Sequence, residues 1–576
     1  MKLSSDTSPY RKVQLWLVGA IIAAEAFVIA LSPLKLAKGK ELFTWYLFGH
    51  QDALIIPALI LAIFLLKPEK DGGPFALWQH LLEKPVYIFL LAVGLVGLAW
   101  AGHYLVFLGR DFTRDEQMAN FDAYIFSHGR LFWPIPSEWR QFAYGLNQTF
   151  ILPIGNHEAW VSAYLPVNAL FRVIVGAVAD PALTSPLLVG TGAIALWKIA
   201  KRLWPESVEA RTTALLLYAG SSQVLIMGMT VFAMTAHLAL NLIWLFLFLW
   251  NSRASHIGAI AVGFLATGLH QPLFHPLFVF PFMLLLLGAR RWRLLLLYGL
   301  CYTLIGLFWL SWPVWISSHG VGQIPVSNEG VDFLTRLVLA LPSLSLKGIW
   351  LTTMNLLRFV AWQHLLLLPL LVLGMKVAWR GEPIARALAL GFLLPIPIML
   401  ILLPYQGHGW GYRYLHGVIG NACLLGGYGL RELQSHGLSM RRAMTWATCA
   451  TFLIIVPAEA FIAHRMIKPY AEVDRMIAES GAQIAIIQDY SAPFAQDLAL
   501  NRPDLSNRPI RLMTTGMRVS DVRRVCPRQG VKIFTVRDLG RIDHSFNKPL
   551  SRASKHQARL QQAMRGSNCS SGPSPN

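Results

Sequence analysis

Apolar stretches of roughly 18 to 25 residues, the length that crosses a bilayer as a helix, recur along this chain between short polar connections. They lie at 13–32, 42–66, 86–108, 161–179, 183–203, 230–250, 294–316, 357–377 and 443–463, with shorter runs at 212–227, 387–403 and 418–430 and a longer one at 257–287. The pattern predicts an all-α polytopic membrane protein with about 11 to 13 transmembrane helices. The first run is too long for a secretory signal peptide and lacks a small-residue cleavage site, so it reads as a retained span. From 470 to 542 shorter elements alternate: YAEVDRMIAESG as a helix, AQIAIIQD as a buried strand, SAPFAQDLALN as a helix, GVKIFTV as a strand. They predict a small C-terminal α/β extramembrane domain without a phosphate loop. The stretch after Asp543 is rich in Ser, Lys, Arg and Gln and is expected to be disordered. The expected segments are an N-terminal transmembrane hairpin (1–85), a transmembrane catalytic domain (86–463) with an outer loop (109–160), the α/β domain (464–543) and the tail (544–576).

Lys2, Arg11 and Lys12 keep the amino terminus inside, so the third run exits outward and delivers 109–160 to the outer face. Two points of the count conflict. The run 257–287 is broken at HQPLFHP (270–276), where two prolines make either a hairpin or a kink. Counting forward places the basic loop 198–211 outside, whereas the positive-inside rule prefers it inside.

Composition supports the membrane reading: 55% of residues are hydrophobic and 14% charged. The formal charge of +20 sits largely in short loops such as ARRWR and SMRRAM, which positive-inside retention explains without nucleic acid. Of five cysteines, Cys301, Cys423 and Cys449 fall in apolar runs, leaving Cys526 and Cys569 in the polar part. No CxxC or His/Cys metal spacing is present, so neither zinc nor a disulfide scaffold is indicated. No cofactor is specified, and divalent-cation assistance stays open.

Chemistry concentrates in GRDFTRDEQMANFDAYIFSHGRL (109–131). Thr113 and Glu116 form a capping box and Gly129 a stop, predicting a helix over 114–128. Met118, Phe121 and Ile125 share one face, Asp115 and Asp122 another, so the helix is expected on the membrane surface with carboxylates at its edge. Such carboxylates can act as a general base, although the cap alone also accounts for Glu116. The aromatic-rich stretch 132–160 is expected in the headgroup layer, where Asn156, His157 and Glu158 either contact headgroups or start a helix. PYQGHGWGYRYLHG (404–417) is the expected partner: its glycines let the backbone approach a ligand, and His408, Tyr412, Arg413 and Tyr414 supply donors and stacking faces. It reads either as an interface belt with a snorkelling Arg413 or as a clamp for an anionic headgroup. His270, Gln271 and His275 at the proline break face either substrate or freed carbonyls.

The acidic outer loop after an early span, the re-entry NHEAWVSAYLPVNALF, the broken GLHQPLFHPLFVFPF run and the RYL loop together resemble the membrane GT-C glycosyltransferases. The branch indicated includes protein mannosyltransferases and lipid A aminoarabinose transferases. This resemblance implies inverting transfer of a sugar from a polyprenyl-phosphate donor to a lipid-linked, glycan or protein acceptor at the outer face of a membrane, the bacterial inner membrane being the expected one. It puts the catalytic acidic pair on Asp115 and Glu116, with Asp115 as base, and the lipid-phosphate contact on Arg413 and Tyr414. Tyr412, His408, His270, Asp122 and His157 complete the expected substrate contacts. A transporter or flippase, and a lipid-linked glycan polymerase or ligase, are the competing readings.

Overall fold

The computed structural model describes residues 9–34, 36, 42–69, 83–147, 149–152, 158–320, 345–490, 492, 494–545, 554–567 and 569–571. Among them, seven helices are long and apolar enough to cross a bilayer, and four shorter apolar helices accompany them. The chain is an all-α polytopic membrane protein carrying a small α/β part, as its hydrophobic pattern predicts. Its contacts form two units: residues 1–102, 182–309 and 334–461 make the first, and residues 103–181, 310–333 and 462–576 the second. The described part of the outer loop and the C-terminal α/β part fall in the second unit.

The helical unit gathers its basic loops at one end. Arg202 donates to the Leu249 carbonyl at 2.7 Å, Arg291 to Asn251 Oδ1 at 2.8 Å, and Arg441 to Glu209 at 3.1 Å. Arg380 pairs with Glu432 at 2.6 Å and Arg442 with Glu69 at 3.3 Å. These contacts settle both conflicts of the count. Asn251, ahead of the Arg253–Thr267 helix, meets Arg291, just beyond the Phe274–Gly288 helix. The break at HQPLFHP is therefore a hairpin. The run 161–179 holds only a ten-residue helix, Val167–Gly176, too short to cross a membrane. Removing that crossing from the count brings the basic loop 198–211 to the same side as the others, as the positive-inside rule requires.

A buried ion pair lies inside this unit. Arg358 Nε donates to Asp52 Oδ2 at 2.9 Å with both side chains fully buried, Arg358 Nη2 donates to the Thr44 carbonyl, and Trp362 Nε1 donates to Asp52 Oδ1. Truncating one member leaves the other charge uncompensated in a low-dielectric interior. Arg358→Ala is expected to destabilise the chain by about 3–5 kcal/mol, read as a lower unfolding midpoint in detergent, with Asp52→Asn/Arg358→Met recovering most of the loss.

The second unit pairs β1, Trp133–Pro134, antiparallel with β2, Ala159–Trp160, and is built on a four-stranded parallel sheet of β3 at Ile484–Ile487, β4 at Ile510–Met513, β5 at Val531–Phe534 and β6 at Ser570–Ser571, in the order β4-β3-β5-β6. Every residue of β3 and β4 is buried, the pattern of strands covered on both faces. Two findings depart from expectation. Within the stretch expected to be disordered, Lys555–Gly566 forms a helix that buries Leu560 and Met564 in the unit's core. Cys526 and Cys569 form a disulfide, where the spacing of the cysteines indicated none.

Candidate active site

The Arg114–Ser127 helix forms where its caps predict. Thr113, extended at φ −121°, accepts from the Glu116 N–H, and Gly129 takes a positive φ of 69° beyond the C-terminal end. Glu116 Oε2 accepts from the Phe112 N–H at 2.9 Å, one residue further back than in the usual capping box. Met118, Phe121 and Ile125 do share a face, but they pack into one core with Ile484, Ile486 and Leu512 of the sheet. The helix is thus the wall of a folded domain, and protein covers the apolar face that was expected to meet the membrane.

Burial then sorts the four acidic residues. Glu116 is 1% exposed and turned inward, in electrostatic reach of the Arg172 guanidinium from the Val167–Gly176 helix. Asp111 accepts from Asn120 Nδ2 at 2.6 Å and also lies within reach of Arg172. Asp122, expected at an exposed edge, is 4% exposed and hydrogen-bonded with Ser162, and burial pushes its carboxyl up to about 7. Asp111 and Asp115 are the partly exposed members, and on the helix itself Asp115 is oriented by Tyr164, whose Oη donates to its Oδ1 at 2.7 Å. A carboxylate so held, with its edge toward solvent, is arranged to accept a proton.

Around this helix, Arg114 donates its N–H to Asp497 Oδ1 at 2.9 Å and its Nη1 to the Ala499 carbonyl at 2.7 Å. Burial lowers its pKa to about 10 and raises that of Asp497 to about 7. Asp122 and Asp497 are therefore protonated more readily folded than unfolded. Each destabilises the fold increasingly as pH rises from about 4 through about 7, with no such cost below that window. Asp122→Asn is expected to remove one share of this slope, on the order of 4 kcal/mol between its ends, measurable as a higher unfolding midpoint than wild type at pH 8 and an equal one at pH 4.

In the helical unit the glycine-rich loop holds Arg413 at 4% exposure. Its Nη1 donates to the His408 carbonyl at 2.6 Å, its backbone N–H donates to Gln406 Oε1 at 2.8 Å, and its guanidinium lies 4.3 Å from the centre of the Phe232 ring. Glycine is needed at 409 and 411: φ is 150° and 68°, and a Cβ would stand 2.3 Å from Arg413 Cδ or 2.4 Å from the Gln223 side chain. Arg413 and Tyr414 line a cavity with Met234, His237, Asn241, Phe274, Leu277, Pro395, Gly417 and Val418. The cavity is small, about 20 Å³, and sets one fixed guanidinium, a donor suited to anions, among largely apolar walls.

The other expected contacts divide. His270 and His275 lie within electrostatic reach of the cavity residue His237, with His275 hydrogen-bonded between Asn241 and Tyr302. His408 contributes its carbonyl, and Tyr412 its backbone, which exchanges two hydrogen bonds with Gln223. His157 lies outside the described residues. Gln406, Gln223, Arg172 and Tyr164 went unnoticed in the sequence, which marks them with no special spacing. Among the described residues no group of three or more His, Cys, Asp or Glu side chains is placed to hold a metal ion.

No family model matches the chain, and no curated protein matches it. Among solved structures it is similar to ArnT from Cupriavidus metallidurans bound to undecaprenyl phosphate, with TM-score 0.45 and 13% identity over 72% of this chain and 85% of that one. The apo state of the same ArnT is similar at TM-score 0.43 and 12% identity, over 72% of this chain and 84% of that one.

Proposed function

We propose that this chain is an inverting glycosyltransferase that moves a hexosyl or pentosyl group from a polyprenyl-phosphate donor to an acceptor at the outer, periplasmic or lumenal, face of the membrane. The setting of Arg413 supports this reading: a guanidinium fixed by Gln406 and the His408 carbonyl lines a small cavity with Met234, Phe274, Leu277 and Val418. The lipid phosphate meets Arg413 and Tyr414, and its hydrocarbon meets the apolar wall. Asp115, oriented by Tyr164, takes the proton of the acceptor hydroxyl as that oxygen attacks the anomeric carbon. The bond to phosphate breaks on the opposite side of the sugar, which inverts the configuration. Polyprenyl phosphate leaves as an anion stabilised by Arg413, so no general acid is required. The Cys526–Cys569 disulfide supports an oxidising, extracytoplasmic location for the α/β unit.

Buried carboxylates at Asp52 and Glu459 are the observation that favours a transporter as the second reading. One experiment separates the readings. Proteoliposomes carrying the full chain receive a polyprenyl-phosphate monosaccharide with a radiolabelled sugar, together with a membrane-lipid, glycan or protein acceptor. Label joined covalently to the acceptor is expected. Label that crosses the bilayer without bond formation, or transfer only when the donor is replaced by a lipid-linked oligosaccharide, overturns the proposal.

A further inference from the structure

The interior of the helical unit contains a second polar cluster, on which the transfer mechanism makes no demand. Glu459 and Gln51 are fully buried, as is Ser222. Glu459 faces Ser222, Gln51 and the carboxylate of Asp52. Ser222 and Gln51 lie within hydrogen-bonding reach of Glu459, yet among the described residues neither oxygen of Glu459, neither amide atom of Gln51, nor Ser222 Oγ makes a hydrogen bond of full geometry. Each such atom is costly where no water reaches it, and Ser222 and Gln51 both face Glu459. Two π-helical turns, Phe48–Asp52 and Thr451–Ile455, shape the backbone on either side; such turns interrupt helices chiefly at functional positions.

Charge identifies what is missing. Asp52 is already compensated by Arg358, so this pair sums to zero. Glu459 adds a further carboxylate, and the charge acting on it from Asp52 has the same sign. A single positive charge balances the cluster, and the orphaned atoms around it include three kinds of oxygen donor: carboxylate, amide and hydroxyl. Such hard oxygen ligands suit a proton or an alkali cation rather than a soft metal.

We propose that Glu459, Gln51 and Ser222 form a site for one exchangeable monovalent cation, either a proton or a sodium ion. The site communicates with the glycine-rich loop through its chain neighbours. Gln223, next to Ser222, holds both backbone groups of Tyr412, and Gln363 donates to Gln223 and accepts from Ser221. Trp362, bonded to Asp52, approaches Trp410 with ring centres 6.2 Å apart. The charged and titratable groups around the site are Asp52 and Arg358, with His416 reached through Gln223.

The test uses the full chain in detergent at constant ionic strength, with sodium chloride exchanged for choline chloride between pH 6 and 9. If sodium occupies the site, the wild-type unfolding midpoint rises by about 1 °C or more per tenfold increase in sodium, and Glu459→Gln abolishes the rise. Ser222→Ala, which keeps the carboxylate, shifts the same rise to higher sodium and covers the case in which Glu459→Gln fails to fold. If a proton occupies it, sodium and choline act alike, the midpoint falls at high pH because deprotonation leaves a buried charge, and Glu459→Gln flattens that fall. A protonated-carboxyl infrared band present in wild type and missing from Glu459→Gln marks this second case. Equal responses of wild type, Glu459→Gln and Ser222→Ala to sodium and pH, with no such band, overturn the proposal.

Discussion

Asp115→Asn is expected to lower the turnover of sugar transfer by about 10²–10⁴-fold, the usual contribution of a positioned general base. The substitution is nearly isosteric, and an Asn oxygen can still accept the Tyr164 hydroxyl that orients the side chain at 2.7 Å. Geometry is preserved while the ability to take a proton is lost. The loss should therefore fall on kcat with little change in KM for the donor, and the unfolding midpoint should stay at the wild-type value. Glu116→Gln should behave differently, because Glu116 serves the Phe112 N–H inside the domain: its main effect should be on stability. Full transfer by Asp115→Asn in membranes supplied with donor and acceptor would remove Asp115 from the chemistry.

Arg413→Ala is expected to reduce turnover by about 10²–10³-fold, in the range seen when one preorganised donor to a developing anion is deleted. As the glycosidic bond breaks, charge on the departing phosphate grows, so the guanidinium stabilises the transition state more than the bound donor. Arg413→Lys retains the charge but loses the planar fork and the stacking on Phe232, and should recover only part of the activity. Measuring kcat and KM for the donor separates this role from simple anchoring: a change confined to KM would make Arg413 a tether without influence on the chemical step.

The helix carrying Asp115 was legible in the sequence because its ends are encoded locally, by Thr113, Glu116 and Gly129. What covers that helix was not legible. Periodicity places Met118, Phe121 and Ile125 on one face but does not distinguish lipid from protein, and the partners Ile484 and Leu512 lie far along the chain. Run 161–179 misled for a related reason: its composition is apolar, but its helix ends at Gly176 and buries Arg172. The Arg413 loop was legible through its glycines, whereas Gln406, which orients Arg413, depends on a backbone path that spacing does not reveal. Asp52, Arg358 and Glu459 carried a usable signal, since ionisable residues near or within apolar runs seldom lack a role. The disulfide was not marked by spacing: Cys526 and Cys569 stand 43 residues apart in the polar part, and the fold of the α/β unit brings them together.

The shared core of the Asp115 helix and the α/β sheet sets an order of biosynthesis. During translation the Arg114–Ser127 segment emerges first, and its apolar face has no cover until β3, β4 and finally Leu560 and Met564 have been made. A nascent chain interrupted before that point carries finished spans beside an uncovered hydrophobic stripe, a surface open to misassembly and to proteolytic clearance.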